Sequence, residues 1–141
     1  MSKVNIEDKF LKIVKDGQNI SPVLPKSIKN YLIDIDGTIC DDIPNEETDR
    51  MKGVEAYPEA VKNINEWYDN GHVITFFTSR LEVHRELTEA WLKEAGFKYH
   101  ALIMGKPRGG NYHWIDSHKV DYTRYKSKFT KMLKRGLTLK F

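Results

Sequence analysis

Residues 31–40 read Tyr-Leu-Ile-Asp-Ile-Asp-Gly-Thr-Ile-Cys, an apolar run that carries Asp34 and Asp36 two positions apart and then turns at Gly37 and Thr38. Runs of this kind are buried, and a buried carboxylate costs several kcal/mol unless something compensates it. The stretch from residue 30 to 35 reads as a buried strand whose end presents two acids. Everything else in the chain can be placed around that strand.

Upstream, Ile6, Phe10, Ile13 and Val14 recur at helical spacing and predict a short helix ending near Gly17, followed by a turn-rich connection at Pro22 and Pro25. Downstream, residues 40–57 form an acidic loop too short to be a folded domain. Pro58 suits the first turn of a helix whose inner stripe is Ala60, Val61, Ile64, Trp67 and Tyr68, with Gly71 as its stop. Residues 72–77 are β-branched and aromatic, a second strand. A helix over residues 82–95 turns Val83, Leu87, Trp91 and Leu92 inward and stops at Gly96. Residues 101–104 predict a third strand and residues 112–115 a fourth, with Tyr112 and Trp114 in the core.

Strand and helix alternation at these lengths predicts an α/β fold: a three-layer, Rossmann-like, mostly parallel sheet with helices on both faces. The 141 residues fit a single domain, with residues 1–29 as an N-terminal helical extension and residues 122–141 as a basic closing helix. The net charge is +3, yet seven basic residues and no acidic ones lie from Tyr122 onward, so the preceding residues carry −4. Tyr122, Tyr125, Phe129, Met132 and Leu133 share that segment at helical spacing, so its lysines read as a solvated face rather than a nucleic-acid contact.

The composition, 40% hydrophobic and 30% charged, is that of a globular chain and excludes a disordered tail or a membrane span. Cys40 is the only cysteine, so no internal disulfide forms and a cytoplasmic setting is expected. His72, His84, His100, His113 and His118 lack metal-ligand spacing, which argues against zinc. A calcium loop starting at Asp34 fails as well, because Thr38 and Asn45 stand where acidic ligands are required.

In parallel sheets ligands bind beyond the carboxyl ends of the strands. The four predicted strand ends carry Asp34 and Asp36, then Thr78, Ser79 and Arg80, then Lys106, then Asp116. Clustered carboxylates repel one another and take up protons unless a cation intervenes, and hard oxygen ligands suit Mg²⁺. Arg80 is read either as a substrate clamp or as a partner of Glu82.

The ordered set DIDGT, FFTSR, GKP and IDSHKVD, from about residue 30 to 121, closely resembles the haloacid dehalogenase superfamily of phosphatases and phosphoryl-transfer enzymes. DIDGT is the specific part; the other motifs gain weight from their order. The resemblance implies roles position by position. Asp34 would be the nucleophile that forms an aspartyl-phosphate, and Asp36 the general acid and base. Gly37 would permit the turn and Thr38 brace it. Thr78, or Ser79 beside it, would bond a phosphoryl oxygen, and Lys106 would balance charge. Asp34, the Asp36 carbonyl and Asp116 would hold Mg²⁺, with Asp121 standing in for the second acid that many relatives carry where this chain has Ser117. Asp36 also points to phosphate esters rather than halides, since only an alkoxide leaving group needs an acid.

Many relatives insert a cap domain after the first or second strand. Here the first gap holds only the flap-like loop 40–57, so a small capless member with an open site is expected. In the family such sites take macromolecular substrates or are covered by a neighbouring subunit of an oligomer. The favoured expectation is a Mg²⁺-dependent phosphatase of a small phosphorylated metabolite, a sugar phosphate or nucleotide, with no membrane partner. The alternatives are a phosphatase of polynucleotide ends or phosphoproteins using the basic C-terminal segment, and a non-catalytic module that keeps the fold.

Overall fold

A computed structural model of the chain describes residues 13–15, 18–20, 23–124 and 135–139, with side chains over 23–124. Its centre is a parallel sheet of β3 (Asn30–Ile33), β4 (Val73–Phe77) and β5 (Ala101–Ile103), in that spatial order. Two short strands precede it, β1 (Ile13–Lys15) and β2 (Gln18–Ile20). The register sets Tyr31 against Ile74 and Phe76 against Leu102. Alternation along the strands then sends Ile33, Ile74, Phe76 and Leu102 to one face, where they form the core.

Among the described residues three helices accompany the sheet. Helix α1 (Thr48–Gly53) lies within the acidic loop, where it buries Met51. Helix α2 (Pro58–Asp69) begins at its proline as expected and buries Ala60 and Ile64. Its Trp67 stacks on Tyr31 with ring centroids 4.4 Å apart. Helix α3 (Arg85–Ala95) follows a 3-10 turn, Glu82–His84, and ends at Gly96 with φ +89°, a left-handed cap in which the Phe97 N–H returns to the Leu92 carbonyl. The 3-10 turn breaks the expected helical register at its start. Val83 is therefore exposed, and the buried stripe is Thr88, Trp91 and Leu92, with Leu87 half-buried.

Helices α2 and α3 join the core on the same face of the sheet; on the opposite face Leu32 and Ile103 are exposed among the described residues. Residue 34 is the first beyond β3, so the strand stops one residue before its first acid.

Three sequence expectations are corrected. Ile13 and Val14 lie not in a helix but in β1, which pairs antiparallel with β2, Lys15 opposite Gln18. The two residues between them are Asp16 and Gly17, a dipeptide that favours tight hairpins over helix. Ile6 and Phe10 fall outside the described residues. The expected basic helix is likewise replaced at its two described ends by a hairpin of β6 (Val120–Arg124) and β7 (Arg135–Leu139). Val120 sits opposite Leu139 and Tyr122 opposite Leu137, so strand pairing holds these two ends, while Tyr125, Phe129, Met132 and Leu133 fall outside the described residues.

The third correction concerns the fourth strand. Residues 107–119 contain neither strand nor helix, and Tyr112, Trp114 and Ile115 are exposed rather than in the core. Gly109 and Gly110 both take positive φ, +80° and +66°, which turns the chain just before the run. The aromatics satisfy their polar ends locally: Tyr112 Oη donates to the Pro107 carbonyl (2.7 Å) and Trp114 Nε1 to Asp116 Oδ2 (3.2 Å). Among the described residues no helix is long and apolar enough to cross a membrane.

His100, beside β5, accepts the Ile74 N–H at Nδ1 (2.9 Å) and stacks on Tyr68. Burial lowers its pKa below the ordinary histidine value. The unfolded chain therefore binds this proton more readily than the folded one, and the contribution present at higher pH is lost as pH falls below about 6.5. Urea titrations of the wild type should show a midpoint that drops through this window. His100→Gln should flatten the drop; an unchanged slope in the variant would count against this assignment.

Candidate active site

The site begins where β3 ends. Asp34 is part-exposed, Ile35 returns fully to the core, and the Asp36 side chain, only 8% exposed, is turned toward the buried Arg80. The chain then folds sharply back: Thr38 and Ile39 N–H groups both reach the Ile35 carbonyl (3.0 Å each), and Gly37 N–H reaches the Cys40 carbonyl (2.9 Å). Gly37 makes this possible through φ +84°. An added Cβ would meet only Asp42 Cβ at an ordinary 3.7 Å, so backbone conformation, not space, demands glycine.

Two donors hold the Asp34 carboxylate. Thr38 Oγ1 donates to Oδ2 at 2.9 Å, and Lys106 Nζ donates to Oδ1 at 2.9 Å. Lys106 is delivered by backbone bonds between the loops after β4 and β5. Thr78 N–H reaches the Ile103 carbonyl (2.9 Å), Gly105 N–H the Arg80 carbonyl (2.8 Å), and Lys106 N–H the Thr78 carbonyl (2.9 Å). The ammonium lies between aromatic rings, 5.5 Å from the Phe77 centroid and 5.2 Å from that of Tyr112. The Lys106 side chain is 12% exposed and that of Asp34 36%, so the pair faces solvent from the acid's side.

Asp36 is held differently. Arg80 forks onto it, Nε to Oδ2 at 2.9 Å and Nη2 to Oδ1 at 2.8 Å, while Nη1 donates to Thr88 Oγ1 at 3.1 Å. The guanidinium carbon sits 5.8 Å from the Trp91 ring centroid. With 0% exposure Arg80 does not face an incoming solute, nor does it pair with Glu82, whose carboxylate is taken by Arg85. The fork onto Asp36 is the feature that sequence reasoning missed. Its one signal was a basic side chain two positions after Thr78, in a segment otherwise headed for the interior.

Thr78 is fully buried, and its Oγ1 accepts the Arg80 N–H (3.2 Å); Ser79 is half-buried, with its carbonyl accepting Asn45 Nδ2 (3.3 Å). That bond ties the 40–57 loop to the rim; within the loop Tyr57 Oη donates to Asp41 Oδ1 (2.6 Å), and Trp91 Nε1 anchors the loop to α3 through the Val54 carbonyl (2.7 Å). Burial, reinforced by the bond to Asp41, raises the Tyr57 phenol well above its ordinary range. The Cys40 thiol is pushed up to about 12 by burial and then by the neighbouring Asp36, so it is no nucleophile at neutral pH.

The fourth strand expected to end in Asp116 is absent among the described residues. Asp116 is exposed; it accepts the His118 N–H (3.0 Å) and Trp114 Nε1, and these bonds lower its pKa. Asp121 lies in β6, opposite Thr138. Among the described residues no three His, Cys, Asp or Glu side chains gather into a metal site. Asp34 supplies a part-exposed carboxylate oxygen at the rim. Without the fourth strand, nothing in the sheet carries Asp116 to it.

Residues 31–141 match the family model described as PITM 1-3, LNS2 domain. The chain belongs to that family. The LNS2 domain is haloacid dehalogenase-like, in agreement with the resemblance carried by DIDGT. A putative nucleotidase of Bacillus cereus is 34% identical over 68 residues, 47% of this chain and 36% of that relative, so the chain spans about a third of the relative's length. A chain of a Pnkp1/Rnl/Hen1 complex superposes with a TM-score of 0.52 at 18% identity, covering 69% of this LNS2 chain and 39% of that one. A crystal structure from Vibrio cholerae gives a TM-score of 0.48 at 19% identity, over 63% and 80% of the two chains. The class of fold is α/β with a parallel sheet and helices, and no cap is evident.

The two carboxylates differ in what their loss does to stability. Asp36→Ala strands a buried guanidinium and should cost about 3–5 kcal/mol in chemical denaturation. Asp34→Ala removes a half-open pair and should cost less than about 1 kcal/mol. Equal losses would contradict the burial difference between the two pairs.

Proposed function

We propose that this LNS2 chain is a Mg²⁺-dependent phosphatase that hydrolyses a phosphate monoester of a small metabolite, a sugar phosphate or a nucleotide, through an aspartyl-phosphate. The observation that carries the reading is the Asp34 carboxylate at the end of β3, gripped by Thr38 and Lys106 and 36% open to solvent. A nucleophile must be both oriented and reachable. The nucleotide arm draws support from the putative nucleotidase relative.

In the proposed reaction Asp34 attacks phosphorus in line. A carboxylate oxygen–phosphorus bond forms as the ester P–O bond breaks, and Asp36 hands a proton to the departing alkoxide. Water then attacks phosphorus, Asp36 takes its proton, and Asp34 is released with inorganic phosphate. Lys106, already on Asp34, offsets the charge that accumulates between nucleophile and phosphoryl group. Ser79 is the more accessible of the two hydroxyl residues for a phosphoryl oxygen.

Mg²⁺ is part of the proposal as a Lewis acid on the phosphate, with Asp34 and the Asp36 carbonyl as its protein oxygens and Asp116 or Asp121 completing the set. Because no three acidic, His or Cys side chains gather into a metal site among the described residues, no step above is routed through the ion. A cytoplasmic setting and the absence of a membrane partner belong to the same reading, and so does a neighbouring subunit covering the open rim. Phosphatase action on a polynucleotide end stays the runner-up; binding that collapses with added salt would favour it.

A panel of sugar phosphates and nucleoside monophosphates, assayed with Mg²⁺, should reveal turnover that chelation abolishes and added Mg²⁺ restores. Asp34→Asn should lower kcat by at least ~10³-fold while the melting temperature stays put. Turnover that survives this substitution would sink the nucleophile assignment. No turnover of any ester by the wild type, at high enzyme concentration, would favour a non-catalytic module.

A further inference from the structure

Arg80 joins four parts of the molecule. Its side chain forks onto Asp36 after β3 and bonds Thr88 in α3, its N–H bonds the Thr78 hydroxyl after β4, and its carbonyl accepts Gly105 N–H after β5. Such a node, 0% exposed, is more than a surface ion pair. The Asp36 side chain is itself only 8% exposed, and its carboxylate is turned toward the guanidinium.

We propose that Arg80 is a positioning residue that aims Asp36 at the leaving group, an inference that rests on the phosphatase reading. Both Asp36 oxygens accept N–H bonds from Arg80. A carboxyl oxygen that carries a proton cannot accept from the guanidinium through the same site. In the acid step one bond of the fork opens and the other stays, so Asp36 pivots about the oxygen that Arg80 retains. The proton passes to the alkoxide oxygen as the P–O bond breaks, and the fork closes again. In the second half-reaction Asp36 receives the proton of the attacking water and the same bond reopens. Thr88 and Trp91 fix the guanidinium while this happens, since Nη1 is committed to Thr88 Oγ1 and the Trp91 ring lies beside the guanidinium carbon. Arg80 touches neither substrate nor phosphorus; it works through Asp36.

The test compares leaving groups. An alkyl phosphate such as glycerol phosphate needs an acid to depart, whereas p-nitrophenyl phosphate leaves as a stable phenolate. Arg80→Lys keeps the charge and loses the fork. It should lower kcat for the alkyl ester by about 10²–10⁴-fold and for the aryl ester by only about threefold, the pattern of a weakened general acid. Asp36→Asn should show the same split, and the double variant should be no worse than Asp36→Asn alone, because the two residues act as one unit.

Thr88→Val, which loosens the guanidinium without touching Asp36, should show a smaller split of the same sign. It also keeps the question open to test if Arg80→Lys does not fold. Equal losses on both esters, or additive effects in the double variant, would mean that Arg80 only holds the fold together. That result would overturn this inference and leave the phosphatase reading intact. Failure of the wild type to turn over either ester would sink both.

Discussion

A guanidinium withdrawn from water has to find its counter-charge inside, and Arg80 finds Asp36. The desolvation of two ions is offset only when the geometry is close and the remaining hydrogen-bonding groups are met. Here the fork uses both carboxylate oxygens, and Thr88 takes a further donor. The consequence is spatial. The loop after β3 and the loop after β4 cannot separate without exposing a buried charge to an apolar interior, so the two strand ends that carry Asp34, Asp36, Thr78 and Ser79 move as one body.

The third strand end is fastened by weaker means. Three backbone hydrogen bonds lace residues 78–80 to residues 103–106, and the aromatic rings of Phe77 and Tyr112 flank the Lys106 stem. Each such bond is worth on the order of 1 kcal/mol net, and together they set where the ammonium lies more than how stable the chain is. Lys106 therefore reaches Asp34 across 72 positions of sequence, because the parallel ladder brings strand ends to one edge and the loops then lock. Position follows from topology; orientation follows from the loop bonds.

The same distinction explains what could be read from sequence. The strand ending in Asp34 and Asp36, the proline that starts α2, and the glycine that ends α3 were legible because each rests on local chemistry: side-chain alternation, a missing N–H, a left-handed cap. Ile13, Val14 and Tyr122 were misread because short apolar sets fit periods of two and 3.6 alike, and only pairing partners decide between them. The run at residues 112–115 failed for a related reason. Such a short run makes a strand only if a sheet edge receives it, and the Gly109–Gly110 turn leaves it outside the ladder. Arg80 was legible as chemistry but not as place. Nothing along the chain says that a side chain two residues past a strand turns inward to meet an acid on a neighbouring loop.

The charges at the rim also bear on the proposed reaction. Asp34 is matched by Lys106 and Asp36 by Arg80, so the two pairs cancel and the rim is close to neutral in itself. A phosphate monoester arriving as a dianion would be set against Asp34 with no cation of those pairs left unspoken for. Lys106 can turn its remaining N–H donors to the phosphoryl group, but its charge is already matched by Asp34, and Arg80 is sealed away. A divalent cation supplied with the ester would meet this deficit while leaving both pairs in place, which is the physical reason that Mg²⁺ belongs in the proposal even though the acids expected to hold it are not assembled. The Asp36–Arg80 pair then changes charge only as Asp36 gives up and takes back its proton, and the Asp34–Lys106 pair is the half on which the incoming charge falls.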